Sequence, residues 1–88
     1  MMVSGWVNQA WPNCQLLGTV GCHLCEQAEA LLMPWVAYGL QVECVDITEI
    51  LAHYERYEQR IPVLQRLDTG AELDWPFDAR QLRMFLSD

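Results

Sequence analysis

Between residues 15 and 32 the apolar pattern changes its period, and two cysteines sit at the change. Gln15 to Val20 is a short, largely apolar run that reads as a first strand. Gly21 then opens a turn. From Leu24 onward the apolar positions are Leu24, Ala28, Leu31, Leu32 and Trp35. Steps of three and four residues place them on one face of a helix. The segment Gly21-Cys22-His23-Leu24-Cys25 is therefore Cys-x-x-Cys directly after a strand and at the start of a helix. Few arrangements put two thiols one helical turn apart at that position.

The rest of the chain extends the same alternation. Pro34 lacks an N–H for the carbonyl four residues back, so a bend or stop is expected near Met33. Gly39 suits a C-terminal cap. Val42 to Ile47 is rich in β-branched residues and reads as a second strand. A strand, crossover helix and strand form a right-handed parallel unit. Thr48 can cap a second helix through Tyr57, with Ile50, Leu51, Tyr54 and Tyr57 facing inward. Ile61-Pro62-Val63-Leu64 enters a third strand that runs to Leu67. Asp68-Thr69-Gly70 marks a turn, and Glu72 to Trp75 a fourth strand completing a hairpin. Asp78 and Gln81 have the spacing of a capping box. Leu82, Phe85 and Leu86 form the stripe of a last helix. The order is β-α-β-α-β-β-α, an α/β two-layer fold with a mixed four-stranded sheet carrying three helices.

With 88 residues there is room for one domain. Residues 1–14 show no clear period and read as a flexible N-terminal arm, with residues 15–88 as the single domain. The rival reading docks the arm through Trp6 and Trp11. The formal net charge is −7 and the five cations are all arginines, Arg56, Arg60, Arg66, Arg80 and Arg83. Scattered cations cannot displace counterions from phosphates, which argues against nucleic acid. No apolar run has membrane-spanning length, and no basic and apolar leader precedes the first strand. A soluble, cytoplasmic monomer is expected.

In such a compartment, four cysteines point to redox chemistry or metal. Unpaired N–H groups and a positive dipole end stabilise a thiolate at a helix start, so Cys22 should ionise more readily than a free thiol. Cys25, one turn on, is more shielded. Cys22 would attack a disulfide and Cys25 would resolve the mixed disulfide. His23 either adds charge beside Cys22 or is a solvated side chain. A metal site is disfavoured because Cys14, Cys44, His23 and His53 form no second close pair. Cys44 reads as a buried core residue, Cys14 as incidental and His53 as a helix-surface residue. Pro62 can begin its strand in trans. A cis bond would instead turn the Ile61 backbone toward the Cys22 loop, where its N–H and C=O could pair with a peptide, and the Cys-x-x-Cys favours that form.

These features resemble the glutaredoxin and thioredoxin pattern from about Gln15 to Leu86. GCHLCEQAEALL, RIPVL and ELDWPFDARQLRMFL resemble more closely a family of short bacterial glutaredoxin-like proteins. The resemblance implies a thioredoxin-like fold, a redox-active Cys22/Cys25 pair and a cis-Pro62. It implies a thiol–disulfide oxidoreductase acting on protein disulfides or glutathione mixed disulfides, with no required cofactor. Glutathione would be a possible co-substrate. Gln59 and Arg60 match positions that hold a glycyl carboxylate. Two departures stand out: Leu17 to Gly21 carries no cation before Cys22, and Asp74-Trp75-Pro76-Phe77-Asp78 replaces a Gly-Gly and Asp element. Asp74 or Asp78 could accept from an ammonium group, although solvation or capping is the plainer role for each. Trp75 could wall a substrate groove or pack in the core beneath the last helix. The alternatives to an oxidoreductase are a binding or adaptor module without turnover and a metal- or cluster-binding protein.

Overall fold

A computed structural model describes residues 11–87. The elements are β1 (Cys14–Gly18), α1 (His23–Ala37), β2 (Val42–Asp46), a 3-10 turn (Ile47–Glu49), α2 (Leu51–Tyr57), β3 (Val63–Arg66), β4 (Glu72–Asp74) and α3 (Ala79–Ser87). The sheet order is β2-β1-β3-β4. β1 runs parallel to β2 and antiparallel to β3, and β3 is antiparallel to β4. This is the expected element order and the expected mixed sheet.

The sheet's side chains alternate between two apolar clusters. Cys14, Leu16 and Leu64 pack with Ala28 and Leu32 of α1 and Leu82 and Leu86 of α3. Leu17 and Val63 point the other way, toward Ile47 and Tyr57. Register explains the split: Leu16 faces Leu64 and Leu17 faces Val63 across the same pair of strands. Each such fully buried aliphatic contributes about 1.5–3 kcal/mol of transfer free energy. The central strands β1 and β3 are therefore apolar on both faces.

Several local expectations fail, each for a physical reason. β1 begins at Cys14, inside the segment read as an arm, and Trp11 packs against the core. Cys14 is 2% exposed, and its thiol donates to the Pro12 carbonyl at 3.6 Å. Burial makes it a core residue rather than an incidental one. Trp6 and the rest of residues 1–10 lie outside the described residues. Pro34 does not stop α1, which continues to Ala37. Pro34 and Ala30 both face solvent, so the carbonyl left without an N–H points to water. The helix ends instead at Gly39, whose φ of 111° permits the N–H of Gly39 to reach Val36 and that of Leu40 to reach Trp35.

Leu24 is 45% exposed, and Cys25 takes its place in the buried stripe. Asp46, not Thr48, caps the turn after β2: its Oδ1 accepts from the Thr48 N–H at 2.9 Å and hydroxyl at 2.7 Å. The resulting 3-10 turn buries Ile47 and rotates Ile50, Leu51 and Tyr54 outward, leaving Tyr57 as the buried anchor of α2. Cys44 is exposed because β2 is an edge strand.

At α3 the capping box forms as expected. The Gln81 N–H donates to Asp78 Oδ1 at 2.8 Å, and the Asp78 N–H donates to Gln81 Oε1 at 3.0 Å. Arg66 fastens the same helix from below, with Nη1 donating to the Phe85 carbonyl at 2.8 Å. Its guanidinium also forms two bonds to Asp68. Asp78→Ala removes one side of the box and should lower stability by about 1 kcal/mol, read as a drop in the urea midpoint.

Candidate functional site

Gly21, at φ 81°, turns the chain from β1 into α1. Cys22 then takes extended backbone angles as the N-cap, and its carbonyl accepts the first helical bond from Glu26 at 3.1 Å. Caps are usually oxygen side chains; here a sulfur fills the place. Cys22 Sγ accepts from the Cys25 N–H at 3.2 Å. Cys22 is half-buried, whereas Cys25 is 4% exposed. The two sulfurs thus share one helical turn and differ in access.

Burial pushes the Cys25 thiol up to about 12, and its hydrogen bond to Cys22 adds to the shift. The negative charges of Cys22 and Glu29 act in the same direction, and the Thr19 N–H opposes them. Cys25 is thus a buried thiol that keeps its proton beside Cys22. Its closeness to β1 rests on Gly18: a Cβ on that residue would lie 2.7 Å from Cys25 Sγ. Sequence reasoning passed over Gly18. Its signal was a glycine inside an otherwise apolar strand, which marks a close approach.

His23 is 91% exposed on its side chain and lies 4.0 Å from Glu26 Oε1, as a solvated helix-start residue does. The Ile61-Pro62 bond is cis. The Leu17–Val63 pairing brings Pro62 to the end of the sheet that carries Gly18 and the Cys22 loop. The Pro62 carbonyl accepts from the Trp75 N–H at 3.1 Å, extending the β3–β4 ladder by one step. The Ile61 N–H, expected to face a peptide, donates to the Tyr57 carbonyl at 3.1 Å as α2 closes.

Arg60 is held by carboxylates of the chain itself. Its Nε and Nη2 grip Asp74 at 3.0 and 2.8 Å, and Nη2 also reaches Glu72 Oε1 at 2.6 Å. Tyr57 donates to the other Glu72 oxygen at 2.6 Å. The guanidinium lies 5.1 Å from the Tyr57 ring centroid. Bidentate charge-assisted bonds of this kind define geometry strongly. Arg60 lowers the Asp74 carboxyl below the usual carboxylate range, and Tyr57 together with Arg60 does the same to Glu72. Gln59 is exposed beside this clamp. Asp78 serves the capping box. Trp75 meets Phe77 edge to face at 5.0 Å, and Phe77 is buried in the core under α3. Trp75-Pro76 is a second cis bond.

On the other side of α1, a cavity of about 270 Å³ is lined by Gly18, Thr19, Cys25, Glu29, Cys44 and Asp46 among others. Among the described residues no group of three or more His, Cys, Asp or Glu side chains is arranged to hold a metal ion. No helix among them is long and apolar enough to cross a membrane.

Accessibility and ionisation separate the thiols. Iodoacetamide at pH 8 should label Cys22 and Cys44 in the native reduced protein and reach Cys14 and Cys25 only on unfolding, as read by peptide mass. Burial also pushes the Cys14 thiol up, to about 11. The folded chain therefore keeps protons on Cys14 and Cys25 that the unfolded chain releases above about pH 8.5. Their contribution to stability is full below that pH and is lost as pH rises through about 11 and 12. Thermal unfolding of the reduced protein from pH 7 to pH 11 should show a falling midpoint, and Cys25→Ala should flatten the fall. Gly18→Ala should push Cys25 away from β1 and slow closure of a Cys22–Cys25 disulfide. Stopped oxidation with mass readout measures that rate.

The sequence profile of the glutaredoxin-like domain (DUF836) matches residues 13–87. The crystal structure of target protein XcR50 from X. campestris superposes with a TM-score of 0.74 at 39% identity, covering 84% of this chain and 95% of that one. The solution structure of XcR50 gives a TM-score of 0.71 at 39% identity, covering 85% and 92%. Protein Ne2328 from Nitrosomonas europaea has a TM-score of 0.75 at 24% identity, covering 98% and 96%, a likeness of fold. No curated protein matches the chain. With a thioredoxin-like sheet and helices, and a profile match running from Asn13 to Ser87, the chain belongs to the family of glutaredoxin-like domains.

Proposed function

We propose that this protein is a thiol–disulfide oxidoreductase whose substrates are disulfides in proteins, with Cys22 as attacking and Cys25 as resolving thiol. One observation carries the reading: the accessible sulfur caps a helix and accepts from the backbone N–H of Cys25, whose own thiol is buried and held protonated beside it. Cys22 thiolate attacks one sulfur of a substrate disulfide, forming a mixed disulfide and expelling the other sulfur as a thiolate. That attack removes the charge on Cys22 that holds the Cys25 proton. Cys25 then loses its proton, attacks Cys22 Sγ and releases the second substrate thiolate. Two electrons have passed to the substrate, and a Cys22–Cys25 disulfide remains. An external thiol, glutathione or a protein dithiol, restores the reduced pair.

Protein substrates are favoured over glutathione mixed disulfides by the surroundings. Val20, 87% exposed, and Leu24, 45% exposed, flank Cys22 in the chain. Apolar side chains beside a reactive sulfur suit the flanks of a peptide. The cation positioned to take a glycyl carboxylate, Arg60, is already paired with Glu72 and Asp74. The chemistry belongs in a reducing compartment such as the cytoplasm, where free thiols persist.

Reduction of insulin, followed alongside reduction of a glutathione mixed disulfide, tests the reading. Cys22→Ser should abolish turnover, and Cys25→Ser should accumulate a mixed disulfide visible as added mass. Wild-type rates in Cys22→Ser would overturn the proposal. Tight partner binding with no turnover in the wild type would favour the adaptor reading instead.

A further inference from the structure

We propose that Cys44 is a third redox thiol, which takes the disulfide over from Cys22 by attacking Cys25 through the cavity they share. The inference rests on the dithiol reading above. Cys25 and Cys44 both line the cavity between α1 and the β2 edge, and Cys22 is not among its lining residues. Cys25 Sγ therefore has two neighbouring sides: Cys22 on one and the cavity lined by Cys44 on the other. Register places Cys44 beside Leu16, on the same face of the sheet as Gly18, which Cys25 overlies. Cys44 is thus the diagonal neighbour of Gly18 across the β1–β2 pair, and it opens into the same space as the thiol above Gly18. The open volume gives both sulfurs room to move. Cys44 is also exposed, so a sulfur bonded there is open to thiols from solution.

In the oxidised protein, Cys44 loses its proton and attacks Cys25 Sγ. The Cys25–Cys44 bond forms as the Cys22–Cys25 bond breaks, and Cys22 leaves as a thiolate. No oxidant is consumed; one disulfide replaces another. The direction of cleavage follows from the cap: a better-stabilised thiolate leaves faster, and Cys22 departs into the N–H of Cys25 at the positive end of α1. The transfer frees the attacking thiol while the oxidation is stored at the sheet edge. Glu29, one turn beyond Cys25 on α1, also lines the cavity and places a negative charge toward both sulfurs. Partial burial raises the Cys44 thiol, and the Glu29 carboxylate adds to that rise and slows the transfer.

The experiment oxidises the full-length protein with one equivalent of diamide, quenches in acid and caps free thiols with N-ethylmaleimide. Cleavage after glutamate leaves Cys22 and Cys25 on the fragment ending at Glu26 and Cys44 at the head of another, beginning after Glu43. Tandem mass spectrometry should find the two fragments joined through Cys25 and Cys44, with maleimide on Cys22. Cys44→Ser should lose the joined fragments and the maleimide on Cys22, and Glu29→Gln should speed the joining several-fold. A Cys22–Cys25 disulfide with Cys44 always capped would overturn the inference and leave the dithiol reading intact. Cys44 joined to Cys22 would overturn it also. If no Cys22–Cys25 disulfide forms in any variant, the dithiol reading fails and the inference with it.

Discussion

A single backbone N–H, that of Cys25, reaches back 3.2 Å to the Cys22 sulfur, and the site depends on that bond. It makes a sulfur the cap of a fifteen-residue helix, so whatever fixes α1 against the sheet also fixes the reactive atom. Ala28 and Leu32 provide that fixing from the helix, and Leu16 and Leu64 provide it from the sheet. Gly18 lets the first turn descend until Cys25 touches β1. Core packing and thiol chemistry are not separable here: the burial that seats Cys25 against β1 also keeps its thiol protonated.

Much of this was legible in the residues. Cys22, Cys25, the Asp78–Gln81 box and the hairpin after Pro62 announce themselves through spacing and local chemistry, which act over three or four residues. Gly39 did so as well. The failures share a different cause. Leu24, Ile50, Leu51 and Tyr54 are apolar at helical spacing yet exposed: Cys25 holds the buried place beside Leu24, and a turn opened by Asp46, two residues before Thr48, rotates the second stripe outward. Cys44 looked like core because its neighbours are β-branched; only the sheet order makes β2 an edge. Arg60 read as a ligand for a bound carboxylate. Its partners lie twelve and fourteen residues away, and no local pattern reveals them.

The Arg60 clamp shapes the other half of the site. Tyr57 closes α2 and accepts the Ile61 N–H on its carbonyl while its hydroxyl binds Glu72 of β4. Arg60 ties the same loop to Asp74. The segment carrying Pro62 is thus pinned at α2 and at the outer strand. Exposed ion pairs contribute only about 0–1 kcal/mol each to stability, so the clamp matters more for shape than for folding. It holds the Arg60 cation within the chain's own carboxylates and fixes the loop that carries Pro62.

Two thiols on opposite sides of Cys25 then have different surroundings for the same reason, the position of β1 between its neighbours. Toward β3 the sheet continues, and the Trp75 N–H bond to the Pro62 carbonyl extends it. Toward β2 the sheet ends, α1 overhangs the edge, and the space beneath holds Glu29, Asp46 and Cys44. Asp46 is drawn below the usual carboxylate range by Thr48 and stays charged there. An edge bearing two carboxylates disfavours the approach of acidic segments. The strand order that gives Cys22 its helix thereby also gives Cys25 a second, chemically distinct approach.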